Sequence, residues 1–133
     1  PPVCSMPHPK QKPHPPVLVG GGVASLNRVV AYGDGWCPGF LPPEELARAL
    51  ETLRERMSIA GRDFSKLDIT VMVGVSEHSP IRQILERYEA AGAGRVVLCV
   101  NRPGTPDEVS DFQLVMPGEA DAFLDRLATQ IFR

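Results

Sequence analysis

Short apolar runs alternate along this chain with stretches whose apolar residues recur every three or four positions. Val17-Leu18-Val19 ends in Gly20-Gly21-Gly22, the pattern of a buried strand with a tight exit. Leu26, Val29, Val30 and Gly33 then share one helical face, with Asn27 and Arg28 off it, and Gly33 and Gly35 break that helix. Trp36-Cys37 reads as a very short second strand closed by Pro38 and Gly39. Pro42-Pro43-Glu44-Glu45 opens the clearest helix, with proline at the start and acids in the first turn. Its apolar stripe is Leu46, Leu50, Leu53, Met57 and Ala60, Glu44 and Arg48 form an i,i+4 pair on the other side, and Gly61 stops it.

Leu67–Val75 alternates as a strand, with Ile69, Val71, Val73 and Val75 on one face and Thr70, Met72 and Gly74 on the other. Ser79 as N-cap and Pro80 at the first position then predict a helix carrying Ile81, Ile84, Leu85, Tyr88 and Ala91, ended by Gly92 and Gly94. Arg95–Val100 is a fourth strand, apolar on both faces as in parallel sheets. After a loop rich in proline, glycine and aspartate, a last helix is expected from about Gly118 to Phe132, with Phe123, Leu124, Leu127 and Ile131 facing inward.

Strand and helix thus alternate four times, which predicts an α/β fold with parallel strands and right-handed crossovers. Four such units make half of an eight-unit barrel; they could also form a small open sheet of flavodoxin type. The proline-rich segment 1–16 cannot form helix and reads as an extended arm or loop, leaving 17–133 as the folded domain. The chain does not begin with Met and is therefore expected to be a piece of something longer.

Composition removes several function classes. A net charge of −2 and aromatic content of 6% give neither the basic surface nor the stacking platforms that nucleic acid requires, and nothing for an anionic membrane. No apolar run approaches the roughly 20 residues of a membrane span, and no signal peptide is visible. Three cysteines, an odd number at wide spacings, argue against a disulfide framework and for a reducing, cytoplasmic setting; Cys37 and Cys99 are expected to be buried free thiols. Cys4, His8 and His14 match no common zinc spacing, so no metal is expected.

The candidate chemistry lies in Gly20-Gly21-Gly22-Val23-Ala24-Ser25, between a strand and a helix. Glycines let a backbone approach a ligand closely, and free amides at a helix start attract anions, which makes a phosphate pocket. The alternative is a tight turn that binds nothing. The run matches neither the P-loop nor the dinucleotide fingerprint. Trp36 is expected to be a core or barrel-rim aromatic rather than a stacking platform, Asp34 to satisfy amides of its own Gly-Asp-Gly turn, and His78 to be a solvent-facing loop residue. Asn101 and Arg102 follow the last strand, where Arg102 could meet an anion but reads better as a solvated loop arginine. Glu44-Glu45 and Asp107-Glu108 are helix-start or loop acids; neither a general acid/base pair nor a nucleophile elbow is evident.

The string Pro13-His14-Pro15-Pro16-Val17-Leu18-Val19-Gly20-Gly21-Gly22, followed by Arg28 and Tyr32-Gly33-Asp34-Gly35-Trp36, resembles the luciferase-like monooxygenase family, in particular its coenzyme F-420-dependent oxidoreductases. Pro43-Glu44-Glu45-Leu46, Ala60-Gly61-Arg62-Asp63, Leu67–Val71 and Ala91–Leu98 are similar too, in the right order. The resemblance implies a TIM-type barrel of which these strands are the fifth to eighth, the N-terminal half being outside this sequence. It implies FMN or coenzyme F-420 as cofactor, with Gly20, Gly21, Gly22 and Val23 holding its phosphate through backbone amides. The family's catalytic residues lie mostly in the first half and have no counterparts here. The chain is thus expected to be an oxidoreductase by family but inactive alone, and to form a homo-oligomer or to pair with a complementary N-terminal half.

Overall fold

The computed structural model describes residues 9–76, 78–100 and 117–132. Glycines and prolines cut the chain into strands β1 (Leu18–Gly20), β2 (Gly35–Cys37), β3 (Asp68–Val75) and β4 (Arg95–Val100). Between and after them run helices α1 (Leu26–Tyr32), α2 (Pro43–Ile59), α3 (Ile81–Ala90) and α4 (Pro117–Phe132). Short 3-10 turns at Val23–Ser25 and Phe64–Lys66 lead into α1 and β3. Among the described residues no helix is long and apolar enough to cross a membrane.

All four strands are parallel and stand in sequential order, β1-β2-β3-β4. A flavodoxin-type sheet reverses strand order at a switch point between its two helical layers. This sheet has no reversal, so the open-sheet reading is set aside and the fold is half of a (β/α)8 barrel.

Parallel partners share a face, and the register separates the two faces cleanly. Val19, Trp36 and Ile69 align across β1, β2 and β3, and Ile69, Val71, Val73 and Val75 lie on that same side. All are buried, in one core with Leu26 and Val29 of α1, Leu46, Leu50, Leu53 and Met57 of α2, and Ile81 and Tyr88 of α3. On the other face Leu18 and Val97 are 38% and 40% exposed. Met72 and Cys99 beside them are only half buried. β4 is therefore apolar on both faces, as its sequence suggests, but covered on one. Cys37 and Cys99 lie on the open face and are half buried instead of buried.

Other expectations are corrected. Ala60 is the exposed C-cap of α2 and adds nothing to its stripe. Ser79 does not cap α3, whose N-cap is Pro80; its buried hydroxyl instead accepts the Ser76 amide at 2.7 Å, tightening the turn before the helix. Leu124 on α4 is 54% exposed and not inward, whereas Ile131 packs against the core. Glu44 meets Arg87 of α3 at 3.0 Å, so its ion pair ties two helices together instead of bracing one turn with Arg48. Its own backbone amide, then Arg87, hold that carboxyl below the usual range.

At Gly35 a Cβ would stand 2.6 Å from the Asp68 carbonyl oxygen, so β2 and β3 approach this closely only because the residue is glycine. Gly35→Ala is expected to destabilise the fold by about 1–3 kcal/mol, measured by urea unfolding; an unchanged midpoint would show that the strands separate freely. Burial, then the neighbouring Cys37, push the Cys99 thiol above its ordinary pKa. The thiolate is the reactive form. Alkylation of Cys99, followed by mass spectrometry across pH, should therefore rise at higher pH than that of free cysteine.

Candidate functional site

In a parallel barrel sheet the loops that leave the C-terminal ends of the strands converge on one face. Here these are Gly20–Gly22 after β1, the Pro38–Pro42 segment after β2 and the Ser76–Pro80 segment after β3. The loop after β4, with Asn101 and Arg102, and the acids Asp107 and Glu108 lie outside the described residues, as do Cys4 and His8.

The glycine loop is the best-defined feature of this face. Gly21 has φ of +110°, a conformation that side-chain-bearing residues rarely adopt. Its amide donates to the Cys37 carbonyl at 3.2 Å, fastening the loop to β2. Its carbonyl accepts the Trp36 indole N–H and the Ser25 hydroxyl, both at 2.9 Å. The Gly22 carbonyl accepts the Ser25 hydroxyl at 2.8 Å and the Ser25 amide at 2.9 Å. Trp36 Nε1 also donates to Ser25 Oγ at 3.0 Å. Trp36 is fully buried and Ser25 is 2% exposed, so the bond between them is buried, while the bonds to the exposed Gly21 and Gly22 lie at the boundary between core and loop.

The amides of Gly22, Val23 and Ala24 have no acceptor among the described residues, and all three residues are exposed. Three consecutive amides without an acceptor thus lie on an exposed turn, the raw material of an anion-binding concavity. The seven-residue α1 is only about 10 Å long at 1.5 Å per residue. Its C-terminal end therefore lies close enough to offset much of its N-terminal charge, and the capacity for an anion rests with the loop amides more than with a helix dipole. Arg28 stands alongside, with Nη2 3.4 Å from the Gly20 carbonyl. A cavity of about 70 Å³ lined by Phe40, Leu41, Met72, Gly74 and Tyr88 lies nearby, far below the roughly 300–1,000 Å³ of typical ligand pockets.

Several singled-out residues serve the opposite end of the sheet. Asp34 accepts the Val17 amide at 2.9 Å, seventeen positions away, instead of the amides of its own turn, and the His14 ring stands 3.7 Å from it. Arg62 donates to the carbonyls of Val29, Val30 and Gly33 at 2.7, 2.8 and 2.6 Å, closing the C-terminal end of α1. Asp68 pairs with Arg95 at 3.1 Å and accepts the Thr70 hydroxyl at 2.9 Å. His78 is exposed beside α3.

Trp36, expected as a core or barrel-rim aromatic, sits in the core, but its bond to the loop was not foreseen and Ser25 was given no role. A signal was available. A buried indole N–H needs an acceptor, and the strand alternation puts Trp36 on the helix side, beneath the preceding βα loop. As the sole tryptophan, fully buried, Trp36 should emit at short wavelength and resist iodide quenching; ready quenching would mean that the loop opens in solution. Residues 1–116 match the family model described as luciferase-like monooxygenase.

Proposed function

Because the chain belongs to the luciferase-like monooxygenase family, we propose that it forms the cofactor-phosphate side of a flavin- or deazaflavin-dependent oxidoreductase barrel. The observation that carries this reading is the arc of unpartnered amides at Gly22, Val23 and Ala24. Gly20 and Gly21 shape the arc: an exposed loop without Cβ atoms at these positions lets a phosphate reach the backbone. Arg28 adds an exposed positive charge at the rim, and a charge-assisted bond from it strengthens the grip.

FMN or coenzyme F-420 bound there supplies the redox chemistry, and the chain's share is to hold and orient it. The small cavity at Phe40 and Tyr88 does not accommodate a tricyclic ring, so the ring and substrate face residues supplied from beyond the described sheet. A second reading, a half-barrel whose completion comes from a second copy or from four further βα units, is favoured by the open face carrying Leu18 and Val97. Light scattering of the isolated chain distinguishes them: a discrete dimer supports self-completion, and a stable monomer removes it.

The phosphate reading is tested by titrating the full chain with FMN and with riboflavin, which lacks the phosphate, and following flavin fluorescence. FMN should bind more tightly. Gly21→Asp, which strains φ and adds a negative charge, should reduce FMN affinity at least about ten-fold, equivalent to 1.4 kcal/mol, and leave riboflavin unchanged. Equal affinity for the two ligands would refute the phosphate site.

A further inference from the structure

We propose that Trp36 and Ser25 are positioning residues for the phosphate site, acting through two backbone carbonyls to fix the direction of the loop's amides. The inference rests on the phosphate reading above.

In a trans peptide the C=O and N–H bonds point in opposite directions. The Gly21 carbonyl shares its plane with the Gly22 amide, and the Gly22 carbonyl shares its plane with the Val23 amide. The Trp36 indole and the Ser25 hydroxyl bind the first carbonyl from the core side, and the Ser25 hydroxyl and backbone amide bind the second. With both oxygens drawn inward, the Gly22 and Val23 N–H groups must face out. These hydrogen bonds to carbonyls therefore set the direction of N–H groups that they do not themselves contact.

The clamp answers a difficulty that the glycines create. Glycine permits close approach but also permits the peptide plane to rotate at little cost. A loop of three glycines without a tether could turn a carbonyl outward, replacing a donor with an acceptor and repelling an anion. Ser25 is well placed to prevent this because Trp36 Nε1 occupies one of its oxygen lone pairs at 3.0 Å, which leaves its proton for the two carbonyls. That proton is thus committed, and Ser25 acts on a phosphate only through the loop.

The test compares Trp36→Phe, which deletes the indole N–H but keeps a ring in the core, with Ser25→Ala and the double variant. Circular dichroism and thermal melts confirm that each is folded, and Ser25→Ala carries the test if Trp36→Phe does not fold. Each folded variant should lose about ten-fold in FMN affinity, the effect of one buried hydrogen bond, with riboflavin affinity unchanged. The double variant should lose less than the product of the singles, because both groups act on the Gly21 carbonyl. The ¹⁵N–¹H resonances of Gly22 and Val23 should also shift in the ligand-free variants. A general loss of stability would lower both ligands' affinities together and leave their ratio alone. Folded variants that keep the wild-type FMN-to-riboflavin ratio overturn the positioning role while the phosphate reading stands. A wild-type chain that shows no preference for FMN overturns both.

Discussion

Parallel strands cannot succeed one another without a crossover, and in this chain each crossover lays its helix against the same side of the sheet. That constraint decides which residues are core and which are not. Val19, Trp36, Ile69, Val71, Val73 and Val75 are sealed beneath α1, α2 and α3, while Leu18, Val97 and Cys99, one position away in the alternation, stand on a face that no described element covers. The shared direction of the strands also divides the ends of the sheet by task. At the N-terminal ends, Asp34, Arg62 and the Asp68–Arg95 pair spend their hydrogen-bonding capacity on the fold itself. At the C-terminal ends, the glycine loop leaves donors unused.

The two ends are joined through the core. Trp36 belongs to the packed layer by position and to the loop by its N–H. One residue therefore couples sheet packing to the geometry of a solvent-facing turn two elements away in sequence. Such coupling is what the flexible half of the arrangement needs: a glycine-rich turn offers access, and a rigid layer beneath it supplies direction.

Much of the architecture was legible in the sequence because periodicity reports burial. The four strands, the four helices and their alternation follow from which positions are apolar. The failures share a cause. Glu44 was given a partner close by in sequence, whereas the fold supplies Arg87 from a helix 43 positions away. Asp34 likewise serves Val17 and not its own turn. Cys37 and Cys99 were read as buried because free thiols in short strands usually behave as small hydrophobes, and here both fall on the face that is left open. The glycine loop stood out as a pattern, but of the groups bonded to it Ser25 lies three and four positions along the same turn, and Trp36 reaches it only once β1 and β2 pair.

The sequential strand order also has a kinetic side. Each strand lies beside the one made just before it, so each new βα unit finds its docking edge already formed as the chain leaves the ribosome. Contacts close over short stretches of chain, which keeps loop-closure entropy small and folding fast for a parallel sheet. The bond from Trp36 to the glycine loop spans only the first two of these strands, β1 and β2.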